Sequence, residues 1–413
     1  MMKPQAYPRD DLSASVPATP SPTVARVTVP PIPEAQGWLA AYDGSHGPVV
    51  DMSQAVPGYA PAAFFTERFG EAAARADDAR YGPILGNPTL RAAYAEHVGT
   101  LYGADVGPAS TAITAGCNQA FFTASMVVAG AGDSILLPTP WYFNHQMTLA
   151  MLGIAPTPVE TQAMDGFIPT VEAVEAAILP SSRALVLVTP NNPTGAVCPP
   201  ERIEALFELC RRRGLYLILD ETYRDFLKPD GGAPHGLFGR PDWQDTLIAL
   251  YSFSKSYAIP GHRLGALTAG PGVLAEAEKV LDCVQICPPR PSQAALAPSI
   301  AGTAEWRAGK SREIRDRAGT FRNAMAAAKG WDTAQAGAYF AYVRHPYGGR
   351  DARSVSRFLA QSLGLLTLPG SYFGPGQDGY LRIAFANVDD TGIAAFAARL
   401  AAHGMNGPLE GAA

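Results

Sequence analysis

Apolar and polar positions follow two rhythms along this chain. Between residues 111 and 270, apolar runs of strand length recur: TAITAG (111–116), SILLP inside 133–145, ALVLV (184–188), LYLIL (215–219), TLIALY (246–251) and LGALTAG (264–270). Runs that are continuous rather than alternating suit parallel strands covered on both faces. Helical stretches separate them, among them QAFFTASMVV after Asn118 and ERIEALFELCRRRG, closed by Gly214. This strand-helix-strand order predicts an α/β fold with a mostly parallel central sheet flanked by helices, and LGALTAG is expected antiparallel at its edge.

On either side the rhythm changes. PVVDMSQAVPGYAPA (48–62) starts as a strand and breaks into a Pro/Gly loop, and YGPILGNPTLRAAYAEHV (81–98) reads as a turn entering an amphipathic helix. From about residue 296, helices rich in Ala, Arg and Glu precede the alternating segments GAYFAYVRHPY and YLRIAFANV. The expected organisation is therefore a large domain over 65–295 and a smaller α+β domain built from 34–64 and 296–413. Residues 1–33, rich in Pro, Ser and Thr, disfavour helix and are expected to form an extended or mobile arm that packs on a partner subunit.

Composition narrows the class. At 413 residues the chain is long enough for two cores, and 47% hydrophobic with 17% charged residues belongs to a globular enzyme. A net charge of -5 offers no basic field for a nucleic-acid backbone. Five scattered cysteines without C-x-x-C pairing argue against a zinc site or disulfide framework and fit a reducing cytoplasm. No run reaches the roughly 20 apolar residues of a membrane span, so neither membrane nor nucleic acid is an expected partner.

The candidate chemistry gathers where the strands end. Ligands of open α/β sheets collect at the carboxyl ends of strands, which places Asn192 of N-P-T-G beside Asp220 of DETY. The next strand leads into SFSKSYAIPGHRLG, residues 252 to 265. A lysine amine such as that of Lys255 turns nucleophilic toward an aldehyde when desolvation or nearby positive charge lowers its pKa. Ser252 and Arg263 are suited to a phosphate, the arginine through its planar fork of donors. Gly116, Cys117 and Asn118 join a strand to a helix start, where free N–H groups and the positive dipole end favour an anion. Arg382, inside an otherwise apolar strand, needs a buried anionic partner.

Together these segments resemble the class I/II aminotransferase family, enzymes of the fold-type-I pyridoxal 5'-phosphate (PLP) architecture. The resemblance spans about residues 48 to 400 and also rests on Y-x-x-x-x-G-x-x-x-L-R (81–91) and the P-G-x-x-F-G turn at 369–374. It implies a PLP cofactor bound to Lys255 as a Schiff base. Asp220 would keep the pyridine nitrogen protonated, and Asn192 and Tyr223 would meet the phenolic oxygen. Tyr142 would stack on the ring, with Trp141 as the alternative. Ser252, Arg263 and the 116–118 turn would hold the phosphate, joined by Tyr81 from a neighbouring subunit.

Arg382 and Asn192 would dock the substrate carboxylate. At Ala55 the family usually has a glycine whose N–H helps, and an ordinary loop alanine is the competing reading. His145 is either a partner of Asp220 or structural, Arg290 either reads a substrate across a dimer or is a surface arginine, and Tyr339 would face the substrate. The resemblance further implies a homodimer that moves an α-amino group from an amino acid to a 2-oxo acid by a ping-pong mechanism, with Lys255 as general base. No second arginine matches the one that dicarboxylate-specific members use, which favours a neutral or aromatic donor. The alternative is a PLP-dependent lyase or cyclase, similar to ACC synthase, on the same scaffold; a PLP-sensing regulator would need a DNA-binding segment that this sequence does not show.

Overall fold

The computed structural model describes residues 18 to 404. Its strands, in chain order, are β1 (Val50–Asp51), β2 (Thr111–Thr114), β3 (Ser134–Pro138), β4 (Ala155–Val159), β5 (Ser182–Val188), β6 (Tyr216–Asp220), β7 (Leu247–Ser252), β8 (Gly265–Thr268), β9 (Asp332–Gly337), β10 (Phe340–Arg344), β11 (Leu365–Leu366), β12 (Leu368–Pro369) and β13 (Tyr380–Ala384). Strands β2 to β8 form one seven-stranded sheet in the order β2-β8-β7-β6-β5-β3-β4. Only β8 runs against the others, antiparallel to both of its neighbours.

The continuous apolar runs divide by the two-residue period of a strand. Leu185, Leu187, Leu217, Leu219, Leu247 and Ala249 point to one core, against Ile203, Leu206 and Phe207 of helix Pro200–Arg213. Ala184, Val186, Ile218, Ile248 and Leu250 point to the other, against helices Cys117–Val128 and Pro271–Val284. The sheet is thus α/β, covered by helices on both faces. Emptying one such position, for example by Leu219→Ala, is expected to cost about 2–5 kcal/mol.

A second, four-stranded antiparallel sheet, β12-β13-β10-β9, lies with its own core of Phe321, Phe358, Leu381, Ile383 and Phe396. The N-terminal strand joins its core from a separate two-stranded sheet: β1 runs parallel to β11, and Val50 and Met52 pack in the same cluster. In β10, residues Phe340 to Val343 are all buried, so the alternation expected there gives way to a strand covered on both faces.

Four expectations change. β8 is antiparallel but interior, because β2 pairs outside it and takes the edge; both are buried throughout, so apolar content could not tell them apart. Residues 18–33 are not simply extended, since helices Pro22–Ala25 and Pro31–Trp38 each begin on a proline, whose fixed φ suits the first helical position. The rest of the expected arm, 1–17, lies outside the described residues. Arg290 opens helix Arg290–Gly302 rather than occupying a turn, and that helix packs on the first core through Leu296 and Ile300. The expected boundary at 295/296 therefore falls inside a helix.

Candidate active site

At the carboxyl ends of β5, β6 and β7 opens a cavity of about 320 Å³. Register explains why chemistry converges there: Asp220 pairs with Val188 on one side and with Leu250 on the other. Asn192 follows four residues after Val188, and Lys255 five after Leu250. Ala55, Cys117, Asn118, Tyr142, Asn192, Asp220, Tyr223, Ser252, Lys255, Arg263 and Arg382 all line this space.

Asp220 ends β6 nearly without solvent contact, at 4% exposure. Its Oδ1 accepts the Thr222 N–H at 3.0 Å, and His145 Nε2 lies 3.4 Å from its Oδ2. Burial alone would raise the carboxyl's pKa, but the His145 contact and the Thr222 bonds outweigh it and hold the group below the ordinary carboxylate range. His145 is itself fixed by stacking on Phe121, ring centroids 3.9 Å apart.

Lys255 belongs to the one-turn helix Phe253–Ser256, capped by the Ser252 hydroxyl, which accepts the Ser254 N–H at 3.3 Å. Its Nζ donates to the Ala55 carbonyl at 2.6 Å. Desolvation, followed by the charges of Arg382 and Arg263, lowers the amine's pKa to about 8. Tyr339 does not line the cavity. It stands behind the lysine and donates to the Lys255 carbonyl at 3.2 Å.

At one end of the cavity the backbone itself makes room. Gly116, at φ 87° and ψ 166°, caps helix Cys117–Val128 in a conformation open essentially to glycine. A Cβ on Gly116 would run into the Arg263 guanidinium, and one on Gly265 would meet the Gly116 backbone at 2.6 Å. Arg263 donates to the carbonyls of Pro260 at 3.0 Å and Ala115 at 3.3 Å. A helix start, a serine and an arginine thus converge on one wall, a donor set of the kind that suits an anion. The Cys117 thiol is pushed up by burial and by neighbouring Asp220, so it stays a thiol.

At the other end lies Arg382 of β13, 1% exposed. It donates to Asn192 Oδ1 at 3.2 Å and to the Ser53 carbonyl, while its Nε has no partner. Among the described residues no carboxylate pairs with it. Burial therefore lowers even this guanidinium to about 10. A buried cation so placed is stabilised by an incoming anion. Tyr223 packs between Tyr339 and Phe340, at 5.3 and 5.1 Å. Tyr142 faces the cavity, and burial raises its phenol to about 12. Trp141 is turned away, its ring packed where Gly374 leaves space.

Tyr81 and Arg290 lie outside this cavity as well. Tyr81 is 78% exposed. Its loop is held by Arg290, which donates to the Asp77 carbonyl at 2.6 Å and approaches Asp78 at 3.5 Å. Several lining residues escaped the sequence reading: Thr222, Ser254, Ile32, Val56 and Phe143. Thr222 and Ser254 stand within motifs already singled out and were within reach. Ile32 carried no signal, because it lies in the Pro/Ser/Thr-rich N-terminal segment, outside every motif that marks the site.

A family model for aminotransferase class I and II matches residues 47–400. An aromatic aminotransferase of Arabidopsis thaliana is 29% identical over 78% of this chain and 80% of its own length. A valine–pyruvate aminotransferase of Mycobacterium tuberculosis is 34% identical over 65% and 69%. Thermus thermophilus aspartate aminotransferase with maleate superposes with a TM-score of 0.85 over 93% of this chain and 99% of its own, at 24% identity, a likeness of fold. Among the described residues no helix is long and apolar enough to cross a membrane. Members of the matched family depend on PLP. The chain belongs to the class I and II aminotransferase family, and it is an aminotransferase.

Proposed function

We propose that this aminotransferase carries PLP in the 320 Å³ cavity, joined to Lys255 Nζ as a Schiff base, and moves an α-amino group from an amino acid to a 2-oxo acid by a ping-pong mechanism. The observation that carries the reading is one enclosure holding a buried amine of lowered pKa, an ionised carboxylate and an arginine without an anion. The residues fit such a group. Asp220, kept charged by His145 and Thr222, suits a pyridine N–H; Tyr142 offers a ring face; Asn192 and Tyr223 offer polar hydrogens to a phenolic oxygen. The phosphate belongs to Ser252, Arg263 and the Gly116–Asn118 helix start.

When bound, PLP supplies an aldehyde and a ring that accepts the electron pair of the substrate's Cα–H bond. The chain's own residues do the rest. Arg382 and Asn192 bind the α-carboxylate, with the Ala55 segment at the same wall, and so aim the α-hydrogen. Lys255, freed when the substrate's amine takes its place, would accept that proton at Nζ and return it beside the ring. The cavity lining also includes Ile32, Val56 and Phe143, which supports a neutral or aromatic donor. The exposed Tyr81 and its Arg290-braced loop support a homodimer in which each subunit contributes to the other's phosphate site, measurable as a particle of twice the 43.5 kDa chain mass. Five free cysteines support a cytoplasmic setting.

The test is a half-reaction followed by absorbance, PLP-loaded enzyme against a panel of amino acids. One 2-oxo acid per site together with the spectrum of the aminated cofactor is the expected result. Release of ammonia with an eliminated thiol, or of a cyclised product, would assign the chain to lyase or cyclase chemistry.

A further inference from the structure

A second cavity, of about 570 Å³, shares no lining residue with the first. It lies behind the N-P-T-G turn. Asn192 of that turn faces the first cavity, whereas Pro190, Gly195 and Val197 face the second. The opposite wall comes from helix Ala304–Met325 and the end of β9, so the space lies between the two sheets' territories.

Its body is apolar, formed by Val197, Ile203, Phe226, Leu227, Ala318 and Ala338. Three cations, Lys228, Arg315 and Arg322, stand on the same lining. Among the described residues none of them has a carboxylate partner. Arg315 commits one nitrogen to the Leu227 carbonyl at 3.1 Å and the Ser311 hydroxyl, and Arg322 commits one to the Ala336 carbonyl. Among the described residues their remaining donors have no partner.

The wall's one described carboxylate is Glu221, fully buried, and its charge is answered elsewhere. Arg224 Nη1 lies 3.6 Å from it, His235 Nε2 3.5 Å, and the Tyr102 hydroxyl donates at 2.6 Å. Among the described residues the cavity therefore offers apolar surface with a net positive rim, at a volume within the roughly 300–1,000 Å³ of small-molecule sites. We propose that it binds a small amphipathic carboxylate, an aromatic or branched aliphatic acid, independently of the substrate site at Arg382. Arginine forks select the carboxylate and the alanine- and leucine-lined floor selects the apolar body.

The probe is 4-(4-fluorophenyl)butyrate, which has neither amino nor oxo group and so cannot be transaminated. Its binding to the PLP-loaded enzyme is followed by fluorine NMR. Two variants test the cavity. Val197→Trp, at a residue 45% exposed, fills the space without removing a hydrogen bond, and Lys228→Glu reverses a charge on an exposed side chain. Arg382→Gln controls for the substrate site. The expected result is saturable binding in the wild type and in Arg382→Gln, weakened tenfold or more by Val197→Trp and threefold or more by Lys228→Glu. Absence of saturable binding at about 10 mM, equal affinity in all four proteins, or loss in Arg382→Gln alone would overturn the proposal. Should Val197→Trp fail to fold, Lys228→Glu decides.

Discussion

Lys255 Nζ donates to the carbonyl of Ala55 at 2.6 Å, across 200 residues of chain. The bond ties the N-terminal Pro/Gly loop to the strand end that presents the amine, so one contact both places the lysine and brings Ala55 into the cavity wall. The amine has exchanged water for a single carbonyl and two nearby guanidinium groups, which is why its proton is loosely held.

The first prediction follows from that proton. A protonated amine has no lone pair to offer an aldehyde, and the neutral form dominates only above the amine's pKa. Uptake of added PLP by the stripped enzyme is therefore expected to accelerate as pH rises through about 8, read as growth of the imine absorbance. An acceleration centred near the free-lysine value of 10.5 would contradict the buried setting described above.

Asp220 and His145 act as a pair. Asp220→Asn removes the charge while keeping the shape, and turnover is expected to fall on the order of 10²–10³-fold. His145→Asn leaves the carboxylate in place but unsupported on one side, and a loss of about 10-fold is expected, of the size typical for partners that orient a functional group. The pH dependence of the bound cofactor's spectrum should shift in both variants. A normal spectrum in His145→Asn would make the histidine merely structural.

Arg382 is, among the described residues, a cation of the cavity wall with no carboxylate partner. Arg382→Gln is expected to lower kcat/KM for amino donors on the order of 10²-fold or more, by removing a charge-assisted pair, while PLP affinity stays unchanged. In the wild type, donors with aromatic or aliphatic side chains should outrank aspartate, given Ile32, Val56 and Phe143 on the wall. A preference for aspartate would mean that a second cation reaches the site from outside this chain.

Gly116 allows two backbones and an arginine to converge. In Gly116→Ala the new methyl meets both a φ of 87° and the Arg263 guanidinium. A loss of about 1–3 kcal/mol is expected from the backbone conformation alone, seen as a lowered melting temperature, together with weaker PLP binding. Retention of both would show that Arg263 moves aside freely.

Much of this site was legible before folding was considered. N-P-T-G, DETY and SFSKSYAIPGHRLG each carry their chemistry within a few positions, and the apolar runs ahead of them are long enough to be strands only. Adjacent parallel strands then bring their ends together, as the pairing of Asp220 with Val188 and Leu250 records. Tyr142 and Trp141 were not separable, because neighbouring aromatic residues differ only in which way the turn points them. The helices at Pro22 and Pro31 were missed because proline was weighed as a breaker, although it also opens helices.

By itself the sequence determined the fold class, the rhythm of strands and helices, and the residue types available at each strand end, since these depend on apolar continuity and on turn residues acting over short distances. Only the tertiary structure decided that β2 rather than β8 takes the sheet edge, that the Ala55 carbonyl meets Lys255, that Ile32 walls the cavity and that Tyr81 lies outside it. Each of those is a contact between distant positions. Such contacts are selected by the packing of the whole core, in which many small burial energies are summed, and no local pattern carries that sum.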